Sequence, residues 1–299
     1  MVLYDFKTLL ATPGETMDED AIRRAIVIEA LYTESDLLTD GMLAVGQRTF
    51  RDELDVKFDF PSDLSAEYPV PAGRQPRKWE VTWTEFAMTL EMAETGFYVD
   101  DRAVLRGLEN LQWTTSLKRA AEAFANKQSK NIVDAIAAGK VGTAAATAVW
   151  DTTTADNILK DITAGWGYIY NNARVNTHDM EKLVLLVPPL AMAGLKKLAA
   201  YESNLRMSIE SIIKQEYGIV IAASRDLKTA KKGYLLVPGE DTVRHGVLAT
   251  NKIPLIEEKR VEARGKDYFA RKFFQTKVTP EVTGGTTNKR IYEITTITT

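Results

Sequence analysis

The chain has 299 residues, 45% of them apolar and 26% charged, which predicts a packed globular body rather than disorder. Its 38 basic and 41 acidic side chains leave a formal charge of -3, so global basicity does not point to wrapping of nucleic acid. Without any Cys, disulfides, thiolate catalysis and Cys-ligated zinc are excluded.

Residues 1–17 read as an extended arm with a turn at Pro13-Gly14, unlike a signal peptide. A short helix follows over about 18–32, its three leading acidic residues suited to the helix dipole. Residues 53–60 then alternate without a break: Leu54, Val56, Phe58 and Phe60 on one side, Glu53, Asp55, Lys57 and Asp59 on the other. A second extended run occupies 79–90, and the Pro-rich stretch between the two is too long for a tight turn. In this return arm the apolar phase switches from Trp79, Val81 and Trp83 to Phe86, Met88 and Leu90. A bulge or change of buried face near Thr84–Glu85 is therefore expected.

From Asp100 to about Ala138 the apolar positions Val104, Leu105, Leu108, Leu111, Leu117, Ala121, Phe124, Ile132 and Ile136 predict one amphipathic helix. Roughly 39 residues would span about 58 Å. Thr153–Asp156 has the form of a capping box, opening a helix with Ile158, Leu159, Ile162, Trp166, Ile169 and Tyr170 on one stripe. Leu183–Val187 predicts a buried strand, and Pro188-Pro189 starts a helix to about Ala200. Leu183–Leu190, the longest apolar run, is far shorter than the roughly 20 residues that cross a bilayer. Ser203 is the expected cap of a further helix that stops at Gly218. Strands are expected over 219–223, 233–237 and 242–250, then a pair, 255–264 with 267–278, and a Thr-rich last strand over 290–299.

No catalytic constellation emerges, and no enzyme, cofactor or metal is expected. His178 and His245 lack a second His or Cys at ligand spacing, so neither is expected to hold metal or shuttle protons. Asp100-Asp101 at the predicted helix start reads as dipole compensation. There is no phosphate-loop, dinucleotide or nucleophile-elbow motif. Two basic clusters remain: Lys228, Lys231 and Lys232 in a loop, and Arg74, Arg77 and Lys78 by the hairpin tip. The second, with the return-arm Trp79 and Trp83, is the candidate subunit interface, since Arg pairs carboxylates bidentately and large aromatics anchor interfaces. The plainer readings are solvated loop charge for the basic side chains and ordinary core for the two Trp.

The order of these parts resembles the major capsid proteins of tailed phages and related archaeal viruses, the Hong Kong 97 phage fold, which encapsulin shells share. An arm, a long hairpin at 53–90, a spine helix at 100–138, an α/β segment holding WDTTTADNILKDITAGWGYIYNN and KLVLLVPPLAMAGLKKL, and returning strands carry the likeness. The resemblance implies an α+β fold divided as follows: 1–36 arm and short helix, 37–99 extended hairpin loop, 100–149 spine helix and peripheral domain, 150–250 axial domain, 251–299 return strands of the peripheral domain. It implies a structural protein of the virion, a bacteriophage-type icosahedral shell self-assembled in the host cytoplasm from many copies as pentamers and hexamers around double-stranded DNA held by loose contact. Portal, scaffold or decoration proteins would be further partners, with no membrane. Two alternatives stand beside it: an encapsulin-type compartment around cargo enzymes, and a small-molecule enzyme with an α+β fold.

Overall fold

The computed structural model describes residues 48–51, 54–61, 83–100, 102, 106, 109–151, 153–173, 175, 182–197, 199–200, 207–228, 230–248, 256–261, 265–280 and 285–298. Four helices are labelled α1 (Glu109–Gly139), α2 (Ala155–Asn172), α3 (Pro189–Lys197) and α4 (Ile209–Glu216). The strands are β1 (Arg48–Arg51), β2 (Asp55–Pro61), β3 (Trp83–Thr89), β4 (Glu91–Asp100), β5 (Lys140–Ala145), β6 (Val184–Val187), β7 (Ala199–Ala200), β8 (Met207–Ser208), β9 (Val220–Ala223), β10 (Gly233–Leu236), β11 (Val243–Leu248), β12 (Ile256–Val261), β13 (Gly265–Val278) and β14 (Asn288–Thr295).

The strand β13 organises the first sheet. Over Gly265–Phe274 one edge pairs with β4, while β12 and β11 share the other end to end, and β1 lies parallel beside β11. Alternation sorts its side chains: Tyr268, Ala270, Lys272, Phe274 and Thr276 are buried, while residues 267, 269, 271, 273 and 275 are only half-buried. The helix α1 packs on the buried face through Trp113, Leu117, Ala120, Ala121 and Phe124. The Trp113 ring meets Tyr268 edge-on at 6.3 Å.

The second sheet runs β5-β14-β10-β6-β9 and is covered on both faces. Leu183, Leu185, Val187, Ile221, Leu235, Tyr292 and Ile294 face α2, α3 and α4. Val184, Leu186, Ala222, Tyr234, Leu236 and Ile291 face the last turns of α1, at Ile132, Val133 and Ile136. Burial on both faces is why 183–187 reads as an unbroken apolar run rather than an alternating one. One helix thus serves two cores.

Several expectations need correction. Asp100 ends β4, the ten-residue strand by which the hairpin reaches the helix, and its Oδ1 accepts from the N–H of the helical Arg102 at 3.0 Å; the helix described from Glu109 has 31 residues, about 46 Å. Arg102 N–H···O distances still show a helical turn there, since Arg106 N–H donates to the Arg102 carbonyl at 3.2 Å, but Val104, Leu105 and Leu108 lie outside the described residues. No bulge interrupts β3: its register on β2 runs unshifted from Asp55↔Thr89 to Pro61↔Trp83. The phase change marks Met88 and Leu90 turning into the core, where both are buried. Thr154, not Thr153, precedes α2, and no side chain caps it; Thr153 instead accepts from Asn157 Nδ2 at 2.8 Å. The helix after Pro189 stops at Lys197, followed by the short strand β7. Ser208 caps α4, accepting from Ser211 N–H at 3.3 Å, and Ser203 is outside the described residues. Gly218 takes φ +66°, the left-handed geometry expected of a helix stop.

The strands also cross the boundary at 250. β11, from the 150–250 segment, pairs in the first sheet, and β14, from 251–299, lies inside the second. Sequential neighbours are therefore exchanged between the two bodies, and α1 spans both.

Phe124, 5% exposed, sits on the buried stripe of α1. Phe124→Asp is expected to remove several kcal/mol by placing an unpaired charge there, read as loss of the cooperative melt by circular dichroism. A soluble variant melting within a few degrees of the wild type would show that this face is exposed.

Candidate assembly surfaces

Among the described residues the strands β2 and β3 pair with each other alone, forming a two-stranded ribbon. Such a ribbon is marginal on its own, so its root matters. Lys57 Nζ reaches Glu85 Oε1 at 2.8 Å, and Thr89 Oγ1 donates to Asp55 Oδ1 at 2.8 Å, both on exposed ground. The root is apolar: Met88 and Leu90 bury with Leu248, and Phe86 and Phe273 close over them. This requires Gly246 on β11. A Cβ there would lie 2.6 Å from Met88 Cε and 2.9 Å from Leu90 Cδ2, inside contact distance. From β13, Lys277 Nζ donates to the Ala87 carbonyl at 3.2 Å and lies 5.9 Å from the centre of the Phe86 ring. The ribbon is thus pinned at its base to the first sheet.

Of the predicted interface residues, Trp83 opens β3 opposite Pro61. Arg74, Arg77, Lys78 and Trp79 lie outside the described residues, as does His178. Outward on β4, Met92 is 53% and Tyr98 40% exposed, with Arg271 Nε 3.4 Å from Glu94 Oε2 between them. Around α2, Tyr170 was expected on the buried stripe; it is instead 49% exposed, stacked on Trp166 at 5.3 Å.

Two carboxylates are buried in the second body. Asp161 accepts from Thr147 N–H (2.9 Å), Thr147 Oγ1 (2.6 Å) and Trp150 Nε1 (2.8 Å), holding the loop after β5 onto α2. Glu293 on β14 gathers Lys140, Lys232 Nζ (3.2 Å), Tyr234 OH (3.0 Å) and Thr143 Oγ1 (3.2 Å). Burial alone would raise its pKa, but the bonds from Lys140, Tyr234 and Lys232 prevail and hold it below the usual carboxylate range. The Tyr234 hydroxyl is pushed up by burial and by the adjacent Glu293. Of the loop lysines, Lys232 is therefore a structural ion-pair partner. Neither carboxylate belongs to a metal set: no group of three or more His, Asp or Glu is clustered among the described residues. Nor is any described helix long and apolar enough to cross a membrane.

Gly246 and Glu293 were not singled out from the sequence. The signal for Glu293 was a lone carboxylate inside the apolar run Ile291–Ile294, whereas Gly246 carried none beyond a glycine within a strand.

No family model and no curated protein matches the sequence. Solved structures do match the fold. The virus-like particle from Pyrococcus furiosus superposes with a TM-score of 0.64 at 12% identity, over 93% of this chain and 100% of that one. The capsid of Myoviridae Phage XM1 gives 0.53 at 11% identity, over 95% and 99%. The structure of Microbacterium phage Oxtober96 gives 0.56 at 14%, over 91% and 98%.

Gly246→Leu is expected to evict Met88 and Leu90 and free the ribbon, costing about 2–4 kcal/mol. Limited proteolysis near 83–90 should accelerate while the second body keeps its melt; unchanged cleavage would mean the root is held otherwise. Glu293 titrates with the opposite cost. A carboxyl depressed on folding contributes stability above its ordinary value near ~4.3, lost as pH falls through the folded value. Glu293→Gln should flatten that acid limb in a pH series of thermal melts, and an unaltered limb would assign it to other groups. With two sheets joined by one long helix, a ribbon rooted on the first, and superposition over nearly whole chains, this protein has the Hong Kong 97-type capsid fold.

Proposed function

We propose that this chain is a major capsid protein that self-assembles into an icosahedral shell around a viral double-stranded DNA genome. The observation that carries the reading is the extent of the likeness: capsids and a virus-like particle match over 84–95% of the chain. The pinned ribbon supports it. A two-stranded ribbon with a fixed root is suited to lie against another copy. Repeated at every copy, weak contacts of that kind sum to a stable particle. Pentamers and hexamers are the assembly units in this reading, the virion is the destination, and assembly takes place in the host cytoplasm. Portal, scaffold or decoration proteins would join from outside the chain. The net charge of -3 suits a wall that touches packed DNA loosely. The role is structural, not catalytic.

A second reading is a compartment shell enclosing cargo enzymes, favoured by the likeness to the virus-like particle from Pyrococcus furiosus at a TM-score of 0.64. Electron microscopy of the expressed protein tests both: closed shells are expected, and a monomer or dimer under all conditions would remove both. Nuclease-resistant DNA in particles from the native source selects the virus, a co-purifying enzyme the compartment.

Residues 61–76, with Arg74 inside them and Arg77, Lys78, Trp79 and Trp83 beyond, form the proposed clasp. Deleting 61–76 should leave a folded subunit with normal circular dichroism that no longer closes into shells. Shells of normal size and stability from the deletion would eliminate the clasp.

A further inference from the structure

The second sheet has one closed edge and one open edge. At β9, Ile221 is 1% exposed and Ala222 fully buried. At β5, Val141 is 44% exposed, and Thr143, Ala144 and Ala145 are exposed with it. β5 pairs with β14, and among the described residues no strand lies on its other side. The ladder settles which backbone groups point there. In a parallel pair, alternate residues turn both N–H and C=O to the same side. Ala146 N–H donates to the Thr295 carbonyl at 2.9 Å, and Thr295 is the register partner of Ala145. Gly142, Ala144 and Ala146 therefore serve β14. Thr143 and Ala145, with Val141 by alternation, aim their groups outward. An open edge is a template for another strand, and proteins guard such edges with charge, proline or bulges. From Val141 to Val149 there is no charged residue and no proline. The register shift in this pairing falls between Asn288 and Tyr292, ahead of Thr143.

We infer, resting on the self-assembly proposed above, that the free edge of β5 binds the same edge of a second copy, antiparallel about a two-fold axis at Thr143. The spacing of the outward groups selects this occupant. Residues 141, 143 and 145 are symmetric about Thr143, so Thr143 meets Thr143 of the second copy, Val141 meets Ala145, and Ala145 meets Val141. Every outward N–H and C=O then finds a partner, about six backbone hydrogen bonds in all. A self-complementary patch of this kind is what a two-fold contact requires. The other strands with a free side do not match it. Among the described sheet edges longer than two residues, β9 is closed and the rest are charged: Arg48 and Arg51 on β1, Glu91 and Glu94 on β4, Glu257 to Arg260 on β12, Lys57 and Glu85 on the ribbon. Along β5 no side chain is larger than that of Val141, so two copies can approach to the ordinary strand spacing of about 4.8 Å. The contact is weak singly and gains strength by repetition in a shell.

The chain has no Cys, so single introduced cysteines report the pairing. The full chain carrying Thr143→Cys, allowed to assemble and then mildly oxidised, should run as a disulfide-linked dimer on a non-reducing gel. Residues facing each other in this register have Cα atoms about 5.5 Å apart, within disulfide reach. Val141→Cys or Ala145→Cys alone should give at least about tenfold less dimer, since each lies roughly 14 Å from its own copy. Particles co-assembled from those two variants should cross-link. Thr143→Cys gives up the hydroxyl bond to Glu293; should it not fold, the co-assembled pair decides, and no cross-link there would overturn the pairing. Closed shells without a cross-link at Thr143, or with equal cross-linking by Val141→Cys alone, would overturn the pairing and leave the shell reading standing. Dimers linked at Thr143 without closed shells would keep the pairing and remove the shell. Protein that neither closes nor cross-links would overturn both.

Discussion

The architecture depends on one helix being buried on two sheets at once. Along α1, Trp113 to Phe124 belong to the first sheet and Ile132 to Ile136 to the second. Each sheet alone would leave an apolar face to water. A straight helix about 46 Å long fixes the separation of the two bodies as well as their burial. The strand exchange reinforces it: β5 continues directly from the end of α1 into the second sheet, and β11 runs from the second body back into the first. Relative motion of the two bodies must therefore bend α1 or slide it on a sheet.

Elements whose burial is periodic were legible in the sequence. The stripe 117, 121, 124, 132, 136 predicted α1, and the pairing of 255–264 with 267–278 appears as β12 on β13. What failed was local. From local pattern the extended run stops at 90 and the helix starts at Asp100, with 91–99 left within the hairpin loop. There β4 is held extended by ten register partners on β13, which lie far away in sequence, so tertiary pairing supplied what local pattern did not. The phase change in the return arm was real, but it recorded a move from ribbon to core at Met88 rather than a bulge.

The candidate surfaces were legible only as tendencies. Trp83 could be placed on a strand, but the seating of the ribbon depends on Gly246, and no composition rule says which glycine will face a methionine distant in the chain. The buried polar chain at Gln128 shows the opposite case. The α1 stripe steps from Phe124 to Ile132, and its empty slot is Gln128. A polar residue in a slot that periodicity reserves for Leu was a signal in plain view. Its meaning needed the partners on β11 and β13, both more than a hundred residues away.

Two buried polar sites lie along the second half of α1 and just past its end, at Gln128 and at Lys140 with Glu293. Glu293 is a charge balanced by Lys140 and Lys232, whose side chains reach solvent, so the pair screens itself and persists until the carboxyl is protonated. The Gln128–His245–Thr276 chain is joined from β13 by Lys272, whose Nζ lies 3.4 Å from Gln128 Oε1. Gln128 ties α1 to β11 and β13 of the first sheet, while Glu293 ties β14 to β5 and β10 of the second just beyond the helix's end. Each sheet is therefore keyed to the helix, or to the strand that continues it, by buried polar contacts as well as by apolar packing.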